Sequence, residues 1–114
     1  METQLSWTVL PLEGDIDLAS APALRARLAE ATQDPPARVV LDMSQLDFID
    51  STGLGVLVGT LRRVRGGGGD VRIGGARPGI ERVFSVTGLD RVFHLFPTVD
   101  EAVTIPLGEE PAPD

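Results

Sequence analysis

The sequence predicts one α/β domain with a four- or five-stranded, mainly parallel (mixed) sheet and about four helices. Three observations carry this. Short apolar, β-branched runs alternate with helix-periodic stretches in the order β, α, β, α, β, α, β, α, and such alternation gives parallel strands with covering helices. A chain of 114 residues is long enough for one domain with a real core. Hydrophobic residues make up 42% and charged residues 24%, the balance of a folded chain rather than a disordered one.

The elements follow in order. Ser6 to Leu12 is expected to be a strand ending at the turn Glu13-Gly14-Asp15, with Trp7 and Val9 on one face and Leu10 and Leu12 on the other. Pro11 has no N–H to give, which makes this strand an edge or an irregular one. Ile16 and Leu18 continue the apolar signal past the turn. Ser20 is placed as the N-cap of a first helix, with Pro22 in its first turn. Ala21, Leu24, Leu28 and Ala31 keep helical spacing while Arg25, Arg27 and Glu30 face water, and Asp34-Pro35-Pro36 ends the helix. Arg38 to Met43 is expected to be a buried strand. Ser44 to Asp50 is expected to be a loop anchored by inward-pointing Leu46 and Phe48.

Ser51 opens the second helix, whose stripe is Leu54, Leu57, Val58, Leu61 and Val64. Gly53, Gly55 and Gly59 each cost a helix about 1 kcal/mol relative to alanine, so they imply a close backbone approach, to the sheet or to a partner. Arg62, Arg63 and Arg65 suit the negative end of the helix dipole, and Gly66 to Gly69 stop it. Asp70 to Gly74 is a third strand. Pro78 begins a short helix with Ile80, Val83 and Phe84 inward, ended by Thr87-Gly88. Val92 to Phe96 is the last strand. Thr98 and Glu101 form a capping box for a final short helix. The domain is expected to span 1–105, with 106–114 (PLGEEPAPD) a disordered, acidic, Pro-rich tail.

Composition removes several function classes. Without cysteine there is no disulfide framework, thiolate zinc site or cysteine nucleophile. A net charge of −7 argues against a general nucleic-acid binder, and no direct nucleic-acid contact is expected. The start METQLSWTVL has no basic region or long apolar run, so neither a signal peptide nor membrane insertion is expected. All ten basic residues are arginine. A receiver domain, which needs a lysine beside its phosphoacceptor aspartate, is therefore disfavoured. A serine hydrolase would need Gly-x-Ser-x-Gly and a histidine base, but the motif is absent and the single histidine, His94, falls in a strand. No Gly-Lys-Ser/Thr follows Gly66–Gly69, which excludes a P-loop. Gly53-Leu54-Gly55 lacks the rest of a dinucleotide fingerprint. No enzymatic activity, metal or cofactor is expected.

The run Leu46-Asp47-Phe48-Ile49-Asp50-Ser51-Thr52-Gly53-Leu54-Gly55 is the most informative segment. By itself Asp50-Ser51-Thr52 marks a helix start, with Ser51 or Asp50 as cap. The stretch VVLDMSQLDFIDSTGLGVLVGTLRRVRGGGGDVRI is similar to the STAS domain of bacterial anti-sigma factor antagonists. GDIDLASAPALRARL resembles that family's first helix region and RPGIERVFSVTGLDRVF its third. The likeness runs from about Val9 to Val103, and D-S-T-G-L-G gains its specificity from the T-G-L-D downstream.

The resemblance implies a STAS-like fold and a non-enzymatic, cytoplasmic partner switch. It implies phosphorylation of Ser51 by an anti-sigma factor that is also a serine kinase, with Thr52 a second hydroxyl at the same helix start. It implies that the unphosphorylated form binds the anti-sigma factor and frees a sigma factor, and that a PP2C-type phosphatase restores it. The partner-binding face is expected to comprise Asp15, Asp17, Ser20, Asp50, Ser51, Thr52, Gly53, Leu54 and Gly55. The alternative within the fold is a STAS regulatory subunit of an ABC-type transporter or a stress-signalling scaffold. The chain departs from the family pattern in offering only about five residues for a strand before the one that ends in G-D-I-D, so that strand is shortened or missing.

Overall fold

A computed structural model describes residues 6–110. Four strands, β1 (Thr8–Ile16), β2 (Arg38–Ile49), β3 (Asp70–Gly74) and β4 (His94–Phe96), form one sheet in the order β1-β2-β3-β4, with every pair parallel. Helices α1 (Ala21–Ala31), α2 (Ser51–Gly66) and α3 (Pro78–Thr87) make the three crossovers, and α4 (Val99–Thr104) follows β4. Because each strand is laid beside the previous one in the same direction, right-handed crossovers place α1, α2 and α3 on one face. Their buried Leu24, Leu28, Leu57, Leu61, Ile80 and Phe84 share a core with Leu41 and Ile73 of the sheet. The expected helices and parallel sheet are borne out. Pro11 lies on β1, an edge strand, where its missing donor is harmless.

Two strands run further than their sequence patterns imply. β1 does not stop at Leu12 but continues through Glu13-Gly14-Asp15 to Ile16. The segment Ser44–Ile49 is not a loop but the second half of β2, paired with β1. Two register shifts explain both. Pro11 faces Asp42 but Glu13 faces Gln45, and Gly14 faces Leu46 but Asp15 faces Phe48, so β2 carries one extra residue at each place. A bulge reverses inward and outward alternation. Met43, Leu46 and Ile49 consequently face the core at spacing three, and Phe48, expected inward, is 49% exposed. Gly14 supplies the positive φ of 67° that the irregular edge requires. The last strand is shorter than expected because Leu89–Arg91 forms a 3₁₀ turn and Phe93 is drawn into the core beside Phe84.

The other face of the sheet is built around Arg72. This side chain of β3 is fully buried, with its guanidinium carbon 4.4 Å from the Trp7 ring centroid and 5.0 Å from that of Phe96. It donates hydrogen bonds to the carbonyls of Ala102 (2.7 Å), Ile105 (2.6 Å) and Pro106 (3.2 Å) and pairs with Glu110 at 2.8 Å. The described part of the expected tail, 106–110, is thus held against the domain by a buried cation; the remainder of that tail lies outside the described residues. The stretch where an additional N-terminal strand was sought falls largely on residues 1–5, also outside them.

Candidate functional site

α2 begins where β2 delivers the chain to the carboxyl edge of the sheet. Asp50 is extended (φ −101°, ψ −176°), and its carboxylate accepts the backbone N–H of Gly53 at 3.0 Å. Asp50 is therefore the N-cap. Ser51 and Thr52 occupy the first two helical positions, Ser51 exposed and Thr52 half-buried. The Ser51 hydroxyl makes no hydrogen bond within the described residues, because the capping role falls to its neighbour. The backbone N–H of Asp50 donates to the Ile16 carbonyl at 3.0 Å, which ties this helix start to the end of β1.

The end of β1 carries the other expected residues. Asp15 is exposed; Asp17 and Ser20 are half-buried. Ser20 stands at the head of α1 but caps no helical N–H. It forms a reciprocal pair with Asp17 instead. The Asp17 N–H donates to the Ser20 hydroxyl (2.9 Å) and the Ser20 N–H to the Asp17 carboxylate (3.1 Å), the geometry of a capping box one turn earlier. Ser20 occupies the N-cap position as expected, but its side chain caps no helical N–H, because it turns back to Asp17. The pair fixes the turn that borders α2.

The glycines divide by role. A Cβ on Gly53 would meet Ile16 Cγ2 at 2.5 Å and Ile49 Cγ1 at 2.9 Å, so Gly53 lets α2 seat on the ends of β1 and β2. Leu54 is buried in the same core. These two expected contact residues position the helix rather than display it. Gly55 and Gly59 have nothing within 4 Å of a Cβ and lie open to solvent. They floor a shallow groove of about 500 Å³ between α1 and α2, which begins at Ser51, passes Thr60 and is bordered by Arg25 and Arg63. Sequence reasoning missed this groove. Arg25 was assigned to a water-facing helix surface and Arg63 to a helix dipole, and nothing local links them. Leu18 (74% exposed) and Phe48 are large apolar side chains at the same edge that it also missed.

With Asp15, Asp17, Ser20, Asp50, Ser51, Thr52 and Gly55 gathered at one edge, the arrangement presents a reactive-length hydroxyl at the positive end of a helix beside several carboxylates. It contains no base or nucleophile pair. Asp70, His94 and Glu110 bring ligand atoms within 4.8 Å of one another elsewhere, at the starts of β3 and β4, but Arg65 and Arg72 already engage the two carboxylates.

A family model described as "STAS domain" matches residues 1–102. The chain belongs to the STAS domain family. The anti-sigma-F factor antagonist RsfB of Mycobacterium tuberculosis is 36% identical to this STAS domain over 98 residues, covering 84% of this chain and 78% of its own length. The anti-sigma-B factor antagonist of Bacillus subtilis is 36% identical over 85 residues, covering 74% and 76%. Among solved structures, the anti-sigma factor antagonist SpoIIAA in its unphosphorylated form superposes with a TM-score of 0.72 at 26% identity, covering 90% of this chain and 89% of that one. The Bacillus cell fate determinant SpoIIAA in its phosphorylated form gives 0.65 at 25% identity, with 90% and 92% covered. The resemblance read from D-S-T-G-L-G is borne out at the level of family and fold for this STAS domain.

Proposed function

We propose that this STAS domain is an anti-sigma factor antagonist controlled by phosphorylation of Ser51. Unphosphorylated, it binds an anti-sigma factor through the edge that carries Ser51 and so releases a sigma factor. The anti-sigma factor is itself a serine kinase that transfers the γ-phosphoryl group of ATP to the Ser51 Oγ. A PP2C-type phosphatase reverses the modification. The protein acts by binding in the cytoplasm and catalyses nothing. Its described residues include no helix long and apolar enough to cross a membrane. Relatives named as antagonists at 36% identity favour this reading over a transporter subunit.

The observation that carries the proposal is the division of labour between Asp50 and Ser51. Asp50 closes the helix, so the exposed Ser51 hydroxyl is reachable and can be modified without removing a cap. The helix N-terminus favours an anion, and a phosphate there adds roughly −1.5 to −2 charges without unfolding the domain. A partner surface fitted to a neutral hydroxyl then meets repulsion and an ion to desolvate. A loss of ~3 kcal/mol weakens binding about a hundredfold.

The test is incubation with ATP and the anti-sigma kinase, followed by mass-spectrometric mapping with Ser51→Ala as control. A single phosphate on Ser51, absent from the control, is expected. Phosphate on Thr52 instead, or a Ser51→Asp protein that binds the anti-sigma factor as tightly as the unmodified one, would overturn the reading.

A further inference from the structure

We infer that the groove between α1 and α2 seats an acidic helix of the anti-sigma factor, with two carboxylates about two helical turns apart that meet Arg25 and Arg63. The inference rests on the proposed function and supplies the chemistry of the partner.

Charge is the first argument. The chain carries a net −7, yet no carboxylate lines this groove, and both residues that border it with a full charge are arginines. Neither Arg25 nor Arg63 forms an ion pair among the described residues, so both keep their charge for a partner. The one ion pair that α2 makes among the described residues, Arg65–Asp70, lies outside this groove.

Shape is the second. Gly55 and Gly59 are one helical turn apart on the exposed side of α2 with open space above them, and Gly53, the glycine the sheet does require, is elsewhere on the helix. The two exposed glycines lower helix propensity and satisfy no internal contact. They let another backbone approach α2 closely, as an amphipathic helix laid in a groove does.

The spacing comes from the register of the helices. α1 and α2 each follow a strand of a parallel sheet and therefore run in the same direction. Arg63 donates to the Thr32 hydroxyl at 3.0 Å, which sets Arg63 level with the end of α1. Arg25 lies seven residues before Thr32, or about 10 Å along the axis at 1.5 Å per residue. Carboxylates seven residues apart on a partner helix span the same distance. Ser51 stands at the upper end of this groove. A phosphate there places negative charge beside an acidic helix, which explains why one covalent change suffices to eject it.

The experiment is calorimetric titration of the unphosphorylated protein with the anti-sigma kinase, for the wild type and for Arg25→Glu, Arg63→Glu and, as a surface control on α3, Arg82→Glu. Thermal melts confirm folding, and Arg25→Gln and Arg63→Gln serve if a reversal disturbs it. The reversals are expected to weaken binding about tenfold or more and to flatten its dependence on salt, with Arg82→Glu near wild type. Replacing the matching partner carboxylate with arginine is expected to restore binding to Arg25→Glu. Wild-type binding by both reversals would overturn this inference and leave the function standing. A wild type that binds no anti-sigma kinase would overturn both.

Discussion

The Asp50 carboxylate accepts the Gly53 N–H at 3.0 Å, and this one bond frees the hydroxyl of Ser51 next to it. The residue proposed for phosphorylation is separated from the residue that holds the helix. Asp50→Ala is therefore expected to destabilise the domain by about 1 kcal/mol, with Asp50→Asn losing much less. Ser51→Ala is expected to change stability by less than about 0.5 kcal/mol. Urea unfolding of the three variants checks this; a Ser51→Ala cost as large as that of Asp50→Ala would assign the cap to the wrong residue.

Gly53, Gly55 and Gly59 of α2 are expected to respond with opposite signs. Gly53→Ala drives a methyl into Ile16 and Ile49 and should cost about 1–3 kcal/mol. Gly55→Ala and Gly59→Ala add a methyl in open space and should stabilise the helix by roughly 0.5–1 kcal/mol each. If they raise the melting temperature while weakening association with the anti-sigma factor, the glycines are kept for contact rather than for folding.

Leu46 and Phe48 test the bulges of β2. Unbroken alternation would put both on one face. The register shift puts Leu46 fully inside and leaves Phe48 half in water. Leu46→Ala is expected to cost about 2–5 kcal/mol, and Phe48→Ala about 1 kcal/mol or less. Equal costs would mean that the second bulge is misplaced.

Glu110 gives a pH signature. Burial raises its pKa, but the hydrogen bond from Arg72, a backbone hydrogen bond and the charges of His94 and Arg72 together outweigh this and hold the carboxyl below its ordinary 4.5. A depressed folded-state pKa contributes stability that is complete above the unfolded value and is lost as pH falls through the folded one. The stability gap between wild type and Glu110→Gln should thus be constant above about pH 5.5 and close progressively below pH 4.5. Trp7, the only tryptophan, lies against Arg72, so its emission should report the same transition. A gap independent of acid would exclude the Arg72–Glu110 pair as its source.

Where the sequence was legible, the signal was local. The start of α2, the Pro78 opening of α3 and its end at Gly88 (φ 78°) depend on caps and periodicity within a few residues. The second half of β2 was not legible, because its two extra residues break the period-two pattern that marks a strand. The position of Ser20 at the N-cap was legible but the partner of its hydroxyl was not, because Asp17 lies on the N-terminal side, against the usual direction of a cap. Nothing local in Asp70–Gly74 marks Arg72 as buried; Trp7, Phe96 and the return of the chain at 102–110 enclose it. At the candidate site, Ser51 and its neighbours followed from one contiguous motif, while Arg25 and Arg63, 38 positions apart in the chain, border one groove only through the packing of two helices.

The strand order β1-β2-β3-β4 also has a kinetic consequence. Every strand pairs only with its predecessor and successor in the chain, so no pairing waits for a distant segment to arrive. The closure entropy of each step is that of a single βα unit. Such a molecule can zip up from its first hairpin-free crossover onward, and it should refold faster than a sheet of equal size whose central strand comes last.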